Sequence, residues 1–514
     1  MAMLTEFTSY ADAQKHYSKE GLWELFDGDR ERINIAHECI DRHAVGDRIA
    51  LNIVSTEMDT VSLSFQEISE LSSKFAHALV AKGVKPGERV AIMLEPSLEY
   101  YVGLFGAMKM GAIAVPMFTL FGPDGIALRV EDCSPSLMLT NSEKAALCPD
   151  RADMEIVVAD ADWLASLEGY PAQYDCKTAG SDLAVFQYTS GTTRQLPDAV
   201  RHTHRSIVTL MNAALYATGL RPGDVFFCPS SPAWGHGLWH GTLAPLALGI
   251  TTGTFCGKFD GGRLLEVLEE LKVTNLSAAA THYRLAKNSG KAGEHQYSLE
   301  KLSFTGEPID EDTAEFLEEV FGLPVCSMYG TTEVGVILAN YPGAPDFEVR
   351  SGSLGKAVPG VEVEVHRADG SECAPDEMGE LVVLRQGKWY QTKDLGRRDA
   401  DGYFYHGGRA DDVIISAGWT MSAVEIEDAI LKHEDVLEAA VIGVPDELRG
   451  QVVKAFVVSK RAGDDQFTKE IQDLVRGRLS QHEYPRLISF VQDLPKTPAG
   501  KIHRKILRDR EAAA

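Results

Sequence analysis

Helical periodicity and short apolar runs alternate along most of the chain. From about residue 50 to 400, amphipathic stretches give way repeatedly to brief, continuous apolar segments. FQEISELSSKFAHALVAKG is followed by RVAIML, and GRLLEVLEELKVTN by LSAAA. A helix and then a buried strand, repeated, predicts layered α/β architecture with largely parallel sheets. The longest apolar stretch, Val102 to Gly122, is interrupted by Lys109, Pro116 and glycines. It reads as a buried helix followed by a strand, not as a membrane span. Near 350 to 408 the texture changes to short strands between turn residues, VEVEVHRADG, GELVVL and GYFYHGG, which predicts a small β-rich, barrel-like unit. Beyond Arg409, VEIEDAILKHEDVLEAAVIGV, VVKAFVV and EIQDLVRGRLSQH predict a small α+β domain. The expected division is 1–410 for a large N-terminal domain of two layered α/β subdomains plus the β unit. Residues 411–514 are then a separate C-terminal domain.

Charge and cysteine usage narrow the partners. Asp and Glu number 75 against 50 Lys and Arg, a formal charge of −25. Such a chain repels phosphate backbones, so nucleic acid is not an expected partner. Eight cysteines are scattered without CxxC spacing, and the N-terminus lacks the apolar core of a signal peptide. Both features predict reduced thiols in a cytoplasm. Oligomeric state is open between monomer and homodimer.

Four polar segments carry candidate chemistry. Tyr188-Thr-Ser-Gly-Thr-Thr193 follows the apolar run LAVFQ. Small hydroxyl residues around a glycine let backbone N–H groups and hydroxyls converge on phosphate oxygens, and the absence of GK[ST] separates the loop from a Walker motif. Met328-Tyr-Gly-Thr-Thr-Glu-Val-Gly335 follows LPVCSM, with Gly306-Glu-Pro308 shortly before it. In such a segment an aromatic can stack on a base and a carboxylate can hold Mg²⁺. Gln391-Thr-Lys-Asp394 offers an acid suited to sugar hydroxyls, with Arg409 fifteen residues on. Pro495-Lys-Thr-Pro-Ala-Gly-Lys501 presents a lysine on a Gly/Pro loop. His236 and His240, four apart, could share a helix face, but HGLWH lacks the Glu of HExxH and a third ligand. His202 and His204 read as packing or capping residues, and Ser190 lies in no G-x-S-x-G elbow.

In this order and combination, YTSGTT, GEP, YGTTE, TxD, GRADD and PxxxxGK resemble the adenylate-forming superfamily of acyl-CoA synthetases, luciferases and peptide-synthetase adenylation domains, from about residue 50 to 510. The resemblance implies activation of a carboxylic acid with ATP to an acyl-adenylate, followed by transfer to coenzyme A. It implies that Thr189, Ser190, Gly191, Thr192 and Thr193 cradle the β- and γ-phosphates. Gly306, Glu307, Pro308 and Tyr329, with Gly330 and Thr331, line the nucleotide. Thr332 meets the α-phosphate, Glu333 holds Mg²⁺, and Asp394 and Arg409 bind the ribose. Lys501 reaches the α-phosphate and the attacking carboxylate, and Asp411 sits where the family places a hinge. The acyl pocket is expected around Trp234, Thr281, His282, Gly330 and Val336. DELRGQVVKAFVV and GRADDVI look like medium-chain acyl-CoA synthetases, which implies that Arg449 contacts a CoA phosphate and that Ser416, Ala417 and Gly418 border the pantetheine tunnel.

Three departures stand out. The loop reads TTRQLPDAV where the family continues TTGxPKG, so Arg194 replaces a glycine and Asp198 the usual lysine. TGD is TKD, which spares the acid, and Thr420 occupies a site that is Arg in medium-chain and acetyl enzymes. Met328 and Tyr329 stand where acetate enzymes carry a bulky Trp, which favours an acid larger than acetate, either medium-chain or aromatic. Two alternatives stay open: adenylation with an acceptor other than CoA, and an inactive nucleotide-binding relative.

Overall fold

A computed structural model describes residues 2–57, 59–188, 199–331, 334–409, 413–416, 419–446, 450–479, 484–496 and 502–512. Side chains are described for these residues except 409, 413, 415, 416, 419, 420, 422 and 450. The chain forms two compact units, 1–360 and 361–514.

The first unit is built from the repeated helix–strand pattern. A six-stranded sheet runs Glu155–Val158, Leu137–Thr140, Arg89–Met93, Ile113–Pro116, Leu183–Gln187, Val200–Thr203. Its strands pair in parallel except for the last, which returns antiparallel along Leu183–Gln187. The apolar stretch from Val102 resolves as expected, with helix Leu98–Met110 ending at the left-handed Gly111 and strand Ile113–Pro116 after it. Ser97 and Ser64 cap this helix and its neighbour Phe65–Ala81 by accepting backbone N–H groups. The two helices meet at Gly106, where a Cβ would lie 2.7 Å from the Phe75 ring and 2.8 Å from Ser72 O. Lys109 on the same helix is fully buried and answered by Asp41 at 2.6 Å, with Ser69 O and Ser73 Oγ at 2.8 Å. That network satisfies a charge that burial alone would disfavour.

The second sheet of this unit has a parallel centre, ordered Val325–Thr331, Lys301–Thr305, Asn275–Ala279, Val225–Phe227, Thr251–Phe255, Ile49–Val54. Antiparallel strands extend it at both ends, Gly335–Ala339 and Ser353–Ala357 on one side and Val61–Ser64 on the other. Helices Gly261–Glu270 and Glu311–Phe321 bury Leu264, Leu265, Leu268 and Leu317 against Phe227, Leu276 and Leu302.

The second unit opens with an antiparallel meander, Val363–His366, Gly379–Arg385, Lys388–Arg398, Phe404–Arg409. A hairpin Val413–Ser416/Trp419–Ser422 follows, then a three-stranded sheet of Val436–Asp446, Gly450–Ser459 and Leu487–Phe490. Strand alternation sorts its core. Ala439, Val441, Val453 and Ala455 pack with helices Ala423–Leu431 and Asp465–Arg478, while Ala440, Ile442, Val444 and Phe456 pack with Leu507 of helix Arg504–Ala512. Compactness thus groups the meander with the C-terminal α+β elements, whereas the sequence pattern placed the boundary at 410/411. All eight cysteines are free thiols. Among the described residues no helix is long and apolar enough to cross a membrane.

Candidate active site

Three loops of the first unit leave the carboxyl ends of adjacent parallel strands, where ligands of open α/β sheets bind. Strands Asn275–Ala279 and Lys301–Thr305 run in parallel register with Ala279 opposite Thr305. Two residues beyond each partner come Thr281 and Glu307. The Glu307 carboxylate accepts the Thr281 amide N–H at 2.7 Å and also the Thr281 hydroxyl. An acid at the first turn of helix Ala280–Asn288 also complements its dipole. Glu307 is therefore a clamp between two loops, and Gly306 and Pro308, both exposed, flank it. Gly306 adopts φ +93°, which turns the chain away from the strand at this point.

The third loop differs from its expected form. The strand Val325–Thr331 does not stop at Met328 but carries Tyr329, Gly330 and Thr331 within it. Antiparallel pairing with Gly335–Ala339 extends the strand, with an irregularity between Tyr329 and Gly330. Gly330 pairs with Val336, so these two expected pocket residues are brought together. A Cβ on Gly330 would lie 2.0 Å from Gly335 O, so only glycine fits. Met328 is buried, Tyr329 is half-buried, and the Thr331 hydroxyl is buried with no hydrogen-bond partner among the described residues.

The stretch from 228 to 243 carries Trp234, expected at the acyl pocket. Trp234 packs on Phe118 with ring centroids 4.4 Å apart. Its carbonyl accepts the Leu238 N–H at 2.8 Å. Residues His236–Leu243 wind as a π-helix rather than the α-helix that the spacing of His236 and His240 suggested. Close approach to the preceding loop goes with this wide turn. A Cβ on Gly237 would lie 2.1 Å from Ser231 O, and one on Gly241 would lie 2.9 Å from Cys228 Sγ. His236 lies 2.9 Å by Nδ1 from Ser230 Oγ and 3.0 Å by Nε2 from Ser277 Oγ, so both ring nitrogens are engaged. Burial, with His240 and His282 nearby, holds its pKa well below the ordinary value. Burial likewise lowers His240 and His282 to about 4, so these imidazoles are neutral at neutral pH. His282 Nδ1 accepts the Ala279 N–H at 3.3 Å. His204 proves a packing residue, accepting the Ile35 N–H at 3.1 Å.

The loop at 189–193 lies outside the described residues, but its entry is fixed. Tyr188, buried at the end of Leu183–Gln187, donates its phenol to Asp132 at 2.6 Å. Burial, aided by Cys133 and Asp132, pushes that phenol up. Asp132 was not singled out in the sequence; an Asp one helical turn beyond Arg129 carries no local signal.

In the second unit, Asp394 and Arg409 are Cα partners across strands Lys388–Arg398 and Phe404–Arg409. The fifteen-residue separation in sequence is thus a direct cross-strand pair. Asp394 is 6% exposed, with its N–H donating to Thr392 Oγ1 at 3.2 Å and His406 Nε2 4.0 Å from its carboxylate. Lys393, where the family pattern has glycine, adopts φ +63° and donates its N–H to Glu380 at 3.0 Å. The lysine therefore keeps a backbone conformation that glycine adopts more readily. Ser416 ends the strand Val413–Ser416. Thr189, Ser190, Gly191, Thr192, Thr193, Arg194, Asp198, Thr332, Glu333, Asp411, Ala417, Gly418, Arg449 and Lys501 lie outside the described residues.

Comparison with known proteins places this architecture. Residues 38–387 match the AMP-binding enzyme family, and 425–501 match the AMP-binding enzyme C-terminal domain. The chain belongs to the AMP-binding enzyme family. It is 31% identical to the uncharacterized acyl--CoA ligase YtcI of Bacillus subtilis (strain 168), over 93% of this chain and 96% of that protein. Among solved structures, an acyl-CoA synthetase of Brucella canis is 31% identical, with a TM-score of 0.76 over 99% of both chains. The anthranilate CoA ligase AuaEII, solved in complex with anthranoyl-AMP, is 26% identical, with a TM-score of 0.84 over 95% of this chain and 99% of that one.

Proposed function

We infer that the chain is an AMP-forming acid–CoA ligase that activates a medium-chain fatty or aromatic acid. A carboxylate oxygen is a poor leaving group. Attack of the carboxylate on the α-phosphorus of ATP gives acyl-AMP and pyrophosphate; the CoA thiol then attacks the acyl carbonyl, and AMP leaves. Two anions must meet in the first step, so neutralising charge is the main demand on the protein.

The proposed division of labour follows from residue types. Thr189–Thr193 offer hydroxyls and backbone N–H groups to the β- and γ-phosphates, and Thr332 to the α-phosphate. The exposed Gly306–Pro308 turn and Tyr329, with Gly330 and Thr331, receive the adenosine, and Glu307 holds that turn to the 281 helix. Asp394 accepts the ribose hydroxyls, with Arg409 beside it in the strand register. A carboxylate oxygen is a hard donor suited to Mg²⁺, and Glu333 is the residue proposed to hold it. When bound, that ion supplies further charge neutralisation. Lys501 brings an ammonium to the carboxylate and α-phosphate for the first step. Asp411 is the proposed hinge that exchanges Lys501 for the CoA-binding segment 416–418 and Arg449 in the second.

The observation that carries this reading is the pairing of clamp and turn: Glu307 on Thr281 leaves an exposed Gly–x–Pro edge at the carboxyl ends of parallel strands. One feature favours a second reading, nucleotide binding without turnover: Asp198 stands where the family loop has lysine, an acid beside triphosphate. ATP–pyrophosphate exchange over a panel of carboxylic acids decides between them. Exchange that depends on a C4–C10 or aromatic acid is expected. Retained ATP binding without exchange for any acid supports the second reading.

A further inference from the structure

The segment expected to line the acyl pocket is more polar than a hydrocarbon tail requires. Within and beside the π-helix His236–Leu243, three buried ring nitrogens have no hydrogen-bond partner among the described residues: Trp239 Nε1, His240 Nδ1 and His202 Nε2. Trp239 is only 8% exposed, and its ring packs on His202 with centroids 4.5 Å apart. His240 lies next to it in sequence, with its ring 6.2 Å from that of His236. The set is continuous with the expected acyl residues, because the helix begins on the Trp234 carbonyl and His236 feels His282.

His236 shows what a satisfied imidazole looks like here, with one serine on each nitrogen. The other three groups, two imidazole nitrogens and an indole N–H, lack such partners among the described residues. Buried donors and acceptors are normally paired, and those left over in a binding wall are where a ligand supplies the partner. An indole N–H only donates, so the missing group must accept; a neutral imidazole both donates and accepts. A second carboxylate is ill suited, since burial keeps the imidazoles uncharged at neutral pH.

We propose that the enzyme selects acids whose tail carries a neutral hydrogen-bonding substituent, a hydroxyl, amino or carbonyl group, that meets Trp239 and His240, over the unsubstituted acid. This rests on the acid–CoA ligase reading and deepens it by naming the substrate class. A π-helix suits such a role, since its wider turn re-aims side chains at functional sites.

The test compares matched acids by kcat/KM in ATP–pyrophosphate exchange: hexanoate with 6-hydroxyhexanoate, and benzoate with its 2-, 3- and 4-hydroxy and amino derivatives. At least one substituted acid is expected to exceed its parent by about tenfold or more, because a site built to hydrogen-bond a group rejects the analogue lacking it. His240→Leu and, independently, Trp239→Phe are expected to bring that ratio towards one, and His240→Gln to restore part of it. Parent acids equal to or better than every substituted acid in the wild type overturn the proposal and leave the ligase reading intact. A preference that neither His240→Leu nor Trp239→Phe alters also overturns it, since ordered water then satisfies the ring nitrogens. No exchange with any acid overturns the ligase reading, and this inference with it.

Discussion

Asp394 concentrates the nucleotide assignment in one side chain. It is almost fully buried, its backbone is tied to Thr392, and its strand partner is Arg409. Hydrogen bonds from ribose hydroxyls to an ionised acid are charge-assisted and stronger than neutral ones. Asp394→Asn keeps the shape and removes the charge. It is expected to lower kcat/KM for ATP about 10- to 100-fold, chiefly through KM, while KM for the acid changes little. Steady-state kinetics with each substrate varied check this, and an unchanged KM for ATP removes Asp394 from the ribose site. At this scale the sequence was partly legible. The Asp394–Arg409 relation could be read from two motifs, because a short connection between antiparallel strands converts a fixed spacing into a cross-strand pair. The Glu307–Thr281 clamp could not. Its partners are twenty-six residues apart, and only the parallel register of two strands brings them together.

At the scale of elements, most helices and strands followed from periodicity, and the exceptions have physical causes. Val325–Thr331 runs on through the YGT segment because Gly335–Ala339 folds back on it, a pairing that no local pattern records. The π-helix at His236–Leu243 is invisible to a 3.6-residue period, because the segment is buried on most sides. Its signal lay in Gly237 and Gly241, spaced to let the backbone press on Ser230, Ser231 and Cys228. Lys393 is exposed and holds φ +63°, a conformation costing an ordinary residue about 1–2 kcal/mol that glycine escapes in part through its own entropy. Lys393→Gly is therefore expected to stabilise the protein by about 0.5–1 kcal/mol, visible as a higher urea midpoint. A lower midpoint shows that the lysine contributes more than its backbone strain costs.

For the molecule as a whole, buried histidines set the response to acid. His202, His204, His240 and His282 are each lowered to about 4 by burial. Between about pH 6.5 and 4 the unfolded chain binds protons that the folded chain refuses, so stability falls as pH drops through that window. Each imidazole contributes on the order of 1 kcal/mol of loss by pH 5, and urea midpoints should fall steadily from pH 7 to 5. A flat profile contradicts neutral, buried imidazoles. Fold class was legible over the full chain because alternation of helix and strand recurs many times, and the ordered motifs were legible because small, polar and glycine-bearing segments interrupt the apolar runs. Which residues group into a compact unit was not, since the meander 363–409 shows the same turn-punctuated texture whichever neighbour it joins. One C-terminal ammonium, that of Lys501, is proposed to serve the first half-reaction and not the second. That role is tested most directly by assaying Lys501→Ala in both, adenylate formation from ATP and acid, and thioester formation from supplied acyl-AMP and CoA. A loss of about a thousandfold or more is expected in the first, the scale of removing a group that stabilises charge in the transition state, with the second within a few-fold of wild type. Equal loss in both, or adenylation that survives, contradicts it.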